Sequence, residues 1–117
     1  MLSNFKIIDV NEREASGTSY AGHITEDYST LVEVFGPPTY EQPSGDHKVH
    51  TEWSLEFTVQ EDGEEDTTSV IATIYDWKEE SAQVARTTPK YRWHVGGHNK
   101  FDALECISQR ILDFYKN

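Results

Sequence analysis

The sequence predicts a small α+β domain, in which an antiparallel sheet of about five strands is covered on one face by two helices. Two observations lead to this class. Residues 48–60 alternate apolar and polar side chains, which is typical of a strand with one buried face. Residues 26–35 and residues 98–115 each repeat apolar side chains at helical spacing. A chain of 117 residues is long enough for one core, so we expect a single domain over residues 1–117.

The first half of the chain is predicted to contain two strands and one helix. Residues 5–10 and 18–24 are expected to be short strands on either side of a polar turn. Thr25 is the expected N-cap of the helix over residues 26–35, because acidic residues follow it in the first turn. Gly36, Pro37 and Pro38 are expected to end that helix.

The second half is predicted to contain three strands and a longer helix. Residues 48–60 and 68–77 should form a hairpin around an acidic loop. Residues 78–89 are polar and are expected to be irregular. Residues 90–95 form the last predicted strand, which Gly96 and Gly97 should break before the final helix begins at residue 98 or 99.

The chain is strongly acidic, with 21 acidic residues against 10 basic residues and a net charge of −11. Duplex nucleic acid and anionic membranes are therefore not expected partners, because both bind through neutralisation of their negative charge. The acidic run at residues 61–66 is predicted to be a solvated hairpin loop. A DNA-mimic role for this run would need acidic rows on several elements.

The chain contains a single cysteine, Cys106, which cannot form an intramolecular disulfide. It falls in the pattern of the last helix, so we expect a buried, small apolar side chain. Neither a signal peptide nor a long apolar run is present in the sequence, which predicts a soluble, intracellular protein.

Residues 91–100 (YRWHVGGHNK) are the strongest candidate for a binding site. They combine aromatic, imidazole and cationic side chains in an acidic chain. A Gly-Gly turn before a helix would present free backbone N–H groups to an anion. The alternative is a plain strand-to-helix turn in which a glycine supplies a positive φ. The candidate anion contacts are Arg92, His94, Gly96, Gly97, His98, Asn99 and Lys100.

Tyr75 and Tyr91 are candidate stacking surfaces for a base, and Lys78 is a candidate phosphate contact. The alternative is that Tyr75 and Trp77 are core rings and that Lys78 is a solvated charge. No metal or cofactor is predicted, because neither HExxH nor CxxC spacing occurs. No nucleophile motif or phosphate-loop lysine motif occurs either, so no catalytic residue is assigned and an enzyme is not expected.

Four motifs occur in a characteristic order: YxxLVxVFGPP at 28–38, KVxxEW at 48–53, ATIYDWK at 72–78 and WHVGG at 93–97. As a set they resemble a widespread family of small proteins encoded by tailed bacteriophages, and the resemblance runs from about residue 22 to the end. The chain is also similar in type to the phage anti-CBASS sponges, small oligomers that sequester cyclic dinucleotide signals without cleaving them.

The resemblance implies a homo-oligomer, a dimer or a tetramer, in the host cytoplasm, with nucleotide pockets at or near subunit contacts. Tyr75 and Tyr91 would then contact the bases, while Arg92, His94, Lys100 and the amides of Gly96 and Gly97 would contact the phosphates. Because a net charge of −11 opposes an anionic ligand, such a pocket must be locally basic and enclosed.

The expected function is therefore immune evasion, by binding a cyclic dinucleotide such as cGAMP without cleaving it. The alternative is an acidic protein-binding inhibitor of a host defence factor, which would use residues 61–66 and the polar face of strand 48–60. That polar face is also a candidate contact with another subunit. A small nucleotide-processing enzyme is a third possibility.

Overall fold

The computed structural model describes Leu2 and residues 4–117, and it has the α+β architecture predicted from the sequence. Its five strands form one antiparallel sheet in the order β1-β3-β4-β5-β2. The first two strands are therefore at opposite edges of the sheet. The elements are β1 (Phe5–Glu12), β2 (Ser19–Glu26), α1 (Tyr28–Phe35), β3 (Glu52–Glu61), β4 (Thr68–Tyr75), α2 (Ala82–Thr87), β5 (Tyr91–Gly97) and α3 (Lys100–Lys116).

The hydrophobic core lies between one face of the sheet and the helices. Trp53 and Trp93 are fully buried and pack edge to face, with ring centroids 5.4 Å apart. Their indole N–H groups donate to backbone carbonyls, that of Gly36 at 2.9 Å and that of Glu26 at 3.0 Å. Cys106 on α3 is buried as predicted, and its burial raises the pKa of the thiol to about 12.

Two local predictions about the helices are wrong. The N-cap of α1 is Asp27 rather than Thr25, because β2 continues to Glu26, which pairs with Tyr91 of β5. The short helix α2 lies in a segment that was expected to be irregular. Arg86 of this helix donates from Nε to the hydroxyl of Thr51 at 2.9 Å, so a tertiary contact supports six residues that carry no helical sequence pattern.

The ladder between β3 and β4 is shorter than the alternation predicts, since β3 begins at Glu52 and β4 ends at Tyr75. The cause is Asp76, whose fully buried carboxylate accepts the backbone N–H groups of His50 at 2.7 Å and Thr51 at 3.0 Å. These two amides therefore bond to a side chain instead of a neighbouring strand.

Gly96 and Gly97 do not break β5 but are its last two residues, paired with β4 on one side and β2 on the other. Neither has a positive φ. A Cβ on Gly97 would lie 2.4 Å from the Cβ of Ala103, and one on Gly96 would lie 2.7 Å from the Thr73 hydroxyl oxygen. Glycine is needed here for close packing. The predicted turn, in both its anion-binding and its positive-φ form, is therefore wrong.

The connection from β1 to β2 crosses the sheet on the face opposite the helices, and we call residues 13–18 the strap. The strap must span four strand spacings, roughly 19 Å. The Arg13 N–H donates to the Ser54 carbonyl at 3.0 Å, and the Ser54 hydroxyl donates to the Arg13 carbonyl at 2.5 Å. One end of this face is therefore covered. No helix in the described part of the chain has both the length and the apolarity to span a membrane.

Candidate functional site

A row of four side chains crosses the uncovered end of the face opposite the helices. Glu52 is paired with Tyr75, Tyr75 with His94, and His94 with His23, so the row spans β3, β4, β5 and β2. Residues directly opposite each other have Cβ atoms about 4.5–5.5 Å apart. His23 is exposed and the other three side chains are partly exposed, which leaves the row accessible to a ligand.

Four rings gather around this row, and we call Tyr20, Tyr75, Trp77 and His94 the aromatic cluster. The His94 ring centroid lies 5.3 Å from that of Tyr20, 5.6 Å from that of Tyr75 and 6.0 Å from that of Trp77. Tyr20 is 50% exposed and Trp77 is 37% exposed. Large rings that meet on an accessible surface are typical of a binding site rather than of a core margin.

Two cations contact the cluster at Trp77. The Nζ atoms of Lys48 and Lys78 lie 5.9 Å and 5.6 Å from the Trp77 ring centroid. The backbone brings them together, because the N–H of Lys78 donates to the carbonyl of Lys48 at 2.7 Å. Two of the ten basic residues of an acidic chain therefore converge on one exposed ring, where they are available to an anion.

A cleft of about 620 Å³ opens beside the cluster, and Trp77 belongs to both. The loop that forms its wall is held to β3 because Tyr40 and Glu52 exchange two backbone hydrogen bonds, each of 2.9 Å. The volume falls in the range of small-molecule sites. Residues 39–44 line the cleft together with Asp46, Val49, Glu52 and Trp77.

Burial shifts the pKa values of three side chains in this row. Burial and, to a lesser degree, the nearby Asp76 raise the pKa of Glu52. Burial also raises the pKa of Tyr75, which keeps its hydroxyl protonated. Burial, with smaller contributions from Arg92 and His23, lowers the pKa of His94 below the ordinary value of about 6.5, so its imidazole is neutral at pH 7. His94 therefore offers a stacking ring rather than a positive charge.

A buried polar network supports the cleft from behind. The Asp76 carboxylate accepts hydrogen bonds from the two backbone N–H groups of His50 and Thr51. It also lies 3.6 Å from Nδ1 of His50, whose side chain is buried as well. Arg86 links this network to the cleft loop, since its guanidinium donates to the Glu41 carbonyl at 3.1 Å. The network fixes the chain at Asp76, directly before Trp77, and the backbone hydrogen bond from Lys78 to Lys48 fixes it directly after that ring.

Of the residues predicted from the sequence, the structure brings Tyr75, Lys78 and His94 together. Arg92 lies next to them and donates to Nδ1 of His23 at 3.0 Å. Tyr91 faces the helices instead, is 8% exposed and packs edge to face on Trp93 at 4.9 Å. Its hydroxyl donates to Glu79, so it is a core ring and the predicted stacking role of Tyr91 is wrong.

The remaining predicted contacts lie at the other end of β5, under or beyond the strap. Gly97 is three residues from His94, which corresponds to about 10 Å along a strand. His98 donates from Nε2 to the Ser16 carbonyl at 2.9 Å, and the side chain of Asn99 caps α3 by accepting the Asp102 N–H at 3.1 Å. Lys100 is the first residue of that helix. The structure therefore separates Gly97, His98, Asn99 and Lys100 from the aromatic cluster. Gly96 is paired with Tyr20 of the cluster, but Thr73 and the strap residue Thr18 cover it.

Sequence reasoning missed Tyr20, Lys48, Glu52 and Trp77 as site residues. The alternation along β4 predicts part of this arrangement. Ala72 and Ile74 are buried on the helix-covered face, so Thr73, Tyr75 and Trp77, which alternate with them, are expected on the opposite face. Nothing local in the sequence places Lys48 or Tyr20 at this ring. Their positions depend on which strands become neighbours.

No protein-family model matches the chain, no curated protein matches it, and no solved structure matches its fold. Among the described residues, no group of three or more His, Cys, Asp or Glu side chains is arranged to hold a metal ion. The chemistry of the aromatic cluster, the lysine pair and the cleft is therefore the basis for a functional proposal.

Proposed function

We propose that this protein binds a cyclic nucleotide, such as the cyclic dinucleotide cGAMP, and sequesters it without cleaving it. In this proposal it is a phage anti-defence protein that acts in the host cytoplasm. The observation that supports binding is the convergence of Lys48 and Lys78 on the exposed ring of Trp77, at the edge of a cleft of about 620 Å³.

The aromatic cluster suits the base of such a ligand. Stacking of one base on an aromatic side chain contributes roughly 1–3 kcal/mol. Trp77 offers an exposed indole at the mouth of the cleft, and Tyr75 and His94 extend the apolar surface from it.

The lysine pair suits the phosphates. The negative charge of the chain repels an anion at long range, but salt screens that field beyond about 8–10 Å. At shorter range Lys48 and Lys78 lie at Trp77, and Arg92 adds a third cation near His94 on β5. In this proposal the phosphates contact the lysines, away from the carboxylates of Glu41, Asp46 and Glu52 that line the cleft.

The hydroxyl groups of the cleft favour binding over turnover. The Thr39 hydroxyl accepts the Ser54 N–H at 2.9 Å, and the Ser44 hydroxyl donates to Asp46 at 2.7 Å. Both hydroxyls thus hold the loop in place, and neither is paired with a histidine that would activate it as a nucleophile.

We also propose that the protein is a homo-oligomer, a dimer or a tetramer, in which a second copy closes the pocket. Tyr20, a half-exposed member of the aromatic cluster, lies on the edge strand β2, where a neighbouring subunit would reach the cluster. Native mass spectrometry with and without nucleotide tests this, and a monomer under both conditions would contradict it.

Calorimetry against a panel of cyclic dinucleotides, cyclic trinucleotides and cyclic ADP-ribose isomers tests the function. We expect sub-micromolar binding of at least one member and recovery of intact ligand after the complex is heated. Trp77→Ala should weaken that binding by about tenfold or more, since one stacking surface is lost. Phe101→Ala is the matched control, because Phe101 is a 67% exposed ring on α3, away from the cleft.

Three results would count against this function. Absence of sub-micromolar binding to every member of the panel would exclude a sponge of this kind. Cleaved ligand would indicate an enzyme instead. Equal effects of Trp77→Ala and Phe101→Ala would place the ligand elsewhere.

The second candidate is an acidic inhibitor that binds a host defence protein. The observation that favours it is the exposure of residues 62–66, whose carboxylates extend from the β3–β4 hairpin into solvent. A host protein retained in a pull-down, and lost when Asp62, Glu64, Glu65 and Asp66 are neutralised together, would support this function over nucleotide binding.

A further inference from the structure

Two glutamates on the same face of β3 have opposite surroundings. Glu56 is bonded to Arg13 and accepts the Ser69 hydroxyl at 2.5 Å, and these hydrogen bonds and the guanidinium charge lower its pKa. Glu52 lies four residues before Glu56 on β3 and lines the wall of the cleft. Its carboxylate makes no hydrogen bond or ion pair with any residue that the structure describes, although the side chain is half-buried.

A carboxylate in this position is unfavourable for the empty protein. Partial loss of water without a compensating hydrogen bond costs free energy, more so for an ionised group than for a neutral one. Burial and the charge of Asp76 act together on Glu52, and the lysines are placed over Trp77. Such a group is satisfied by a ligand that brings N–H donors into the cleft.

We infer that Glu52 recognises the Watson–Crick edge of a guanine base, an inference that rests on the proposed binding of a nucleotide at this site. The two carboxylate oxygens accept the N1–H and one N–H of the 2-amino group, side by side. The purine stacks on Trp77, and the lysine pair meets the phosphate. Stacking and edge recognition are compatible, because the base edge stays free when the ring face is covered.

Among the common bases, guanine is the one that presents two adjacent N–H donors on its Watson–Crick edge, which match the two acceptor oxygens of Glu52. Adenine presents its 6-amino donor beside the N1 lone pair, and cytosine its 4-amino donor beside the N3 lone pair. In both cases one carboxylate oxygen would face a lone pair, which is repulsive. Uracil and hypoxanthine present a single N–H donor on this edge. An ionised Glu52 therefore selects guanine both by attraction and by exclusion of the other bases.

The test compares cyclic di-GMP, cyclic di-AMP and cyclic di-IMP by calorimetry at pH 7.5, on the full chain. We expect the guanine ligand to bind the unmodified protein more tightly than the adenine ligand by roughly tenfold to a hundredfold, the usual range for a bidentate base contact. Glu52→Gln should reverse the order, because a glutamine amide offers one acceptor and one donor, which matches adenine.

Glu65→Gln is the matched control. It removes the same charge from the exposed acidic loop and should leave the ratio of the two affinities unchanged. If Glu52→Gln fails to fold, the unmodified protein still tests the contact, since the inosine ligand lacks only the 2-amino group of guanine. Binding of the inosine ligand should be about tenfold weaker.

The outcomes separate this inference from the proposed function. Equal binding of guanine and adenine ligands, or an unchanged ratio in Glu52→Gln, would overturn the role of Glu52 while nucleotide binding stands. If none of the three ligands, and no other cyclic nucleotide, binds the unmodified protein, both the inference and the proposed function fail.

Discussion

The two ends of the sheet face opposite the helices differ in what lies over them. At one end the strap covers Ser54, Thr73 and Gly96, and the first two are almost fully buried. At the other end Glu52, Tyr75 and His94 occupy the equivalent positions on the same three strands and stay partly exposed. One sheet thus supplies both a packed surface and an accessible one. The path of the six-residue strap determines which end of this face is covered and which end stays accessible.

The covered end of the face contributes to the stability of the fold, whereas the uncovered end is available for binding. Small side chains and glycine occur where the chain lies on itself, because there is no room for larger ones. Rings, the half-buried carboxylate of Glu52 and nearby lysines occur where solvent or a ligand can reach. Substitutions at the covered end should therefore change the free energy of unfolding, and substitutions at the uncovered end should change affinity.

The largest expected effect is the loss of stability in Gly97→Val. Its Cβ would lie 2.4 Å from the Ala103 Cβ and 3.0 Å from the Ile71 carbonyl oxygen, and the carbonyl belongs to a central strand. We expect the free energy of unfolding to fall by about 3 kcal/mol or more, measured by urea denaturation. Gly45→Val is the control, since nothing lies within 4 Å of that position and its φ is not positive. An unchanged transition for Gly97→Val would contradict the packing described here.

A smaller effect, on affinity alone, is expected for Lys48→Ala combined with Lys78→Ala. If Lys48 and Lys78 contact the phosphates as proposed, their loss should weaken nucleotide binding by roughly tenfold or more, because a hydrogen bond to a charged group contributes about 1.5 kcal/mol. The affinity should also become less sensitive to salt. Calorimetry at two salt concentrations measures both, and Lys116→Ala at the end of α3 is the control. A double variant with unchanged affinity would remove the lysine pair from the site.

The smallest expected effect is a pair of opposite stability changes in the empty protein. The pKa of Glu52 is raised in the fold, so its contribution to stability is present at low pH and is lost as pH rises through that pKa. Glu52→Gln should therefore stabilise the protein at pH 7, by less than about 1 kcal/mol. Glu56 has a lowered pKa, so its contribution is present above its unfolded pKa and is lost as pH falls through the folded pKa.

Glu56→Gln should accordingly destabilise the protein slightly at pH 7 and have less effect at acidic pH. Thermal unfolding of both variants at pH 4 and pH 7 measures the difference. Shifts of the same sign at pH 7 would show that the two carboxylates have similar surroundings, which would also weaken the case for Glu52 as a ligand contact.

Part of the site could be predicted from the sequence. The local concentration of aromatic and basic residues in an acidic chain predicts Tyr75, Lys78 and His94, and these residues lie together around Trp77. The prediction for Tyr91 is wrong, because a tyrosine near the start of a strand can face either side of the sheet. The prediction of a turn at Gly96 and Gly97 is wrong because the sequence does not show that Ala103 of α3 lies against Gly97.

The five strands and the two longer helices follow from local sequence patterns, since burial on one face imposes a period that is visible within each segment. The strand order, the path of the strap and the helix α2 depend instead on tertiary contacts. Together they leave one of the two ends of the sheet face open. Contacts such as Lys48 with Trp77, or Arg13 with Ser54, join residues far apart in the chain. Such contacts form only after particular strands become neighbours, and a pattern within one segment does not specify those neighbours.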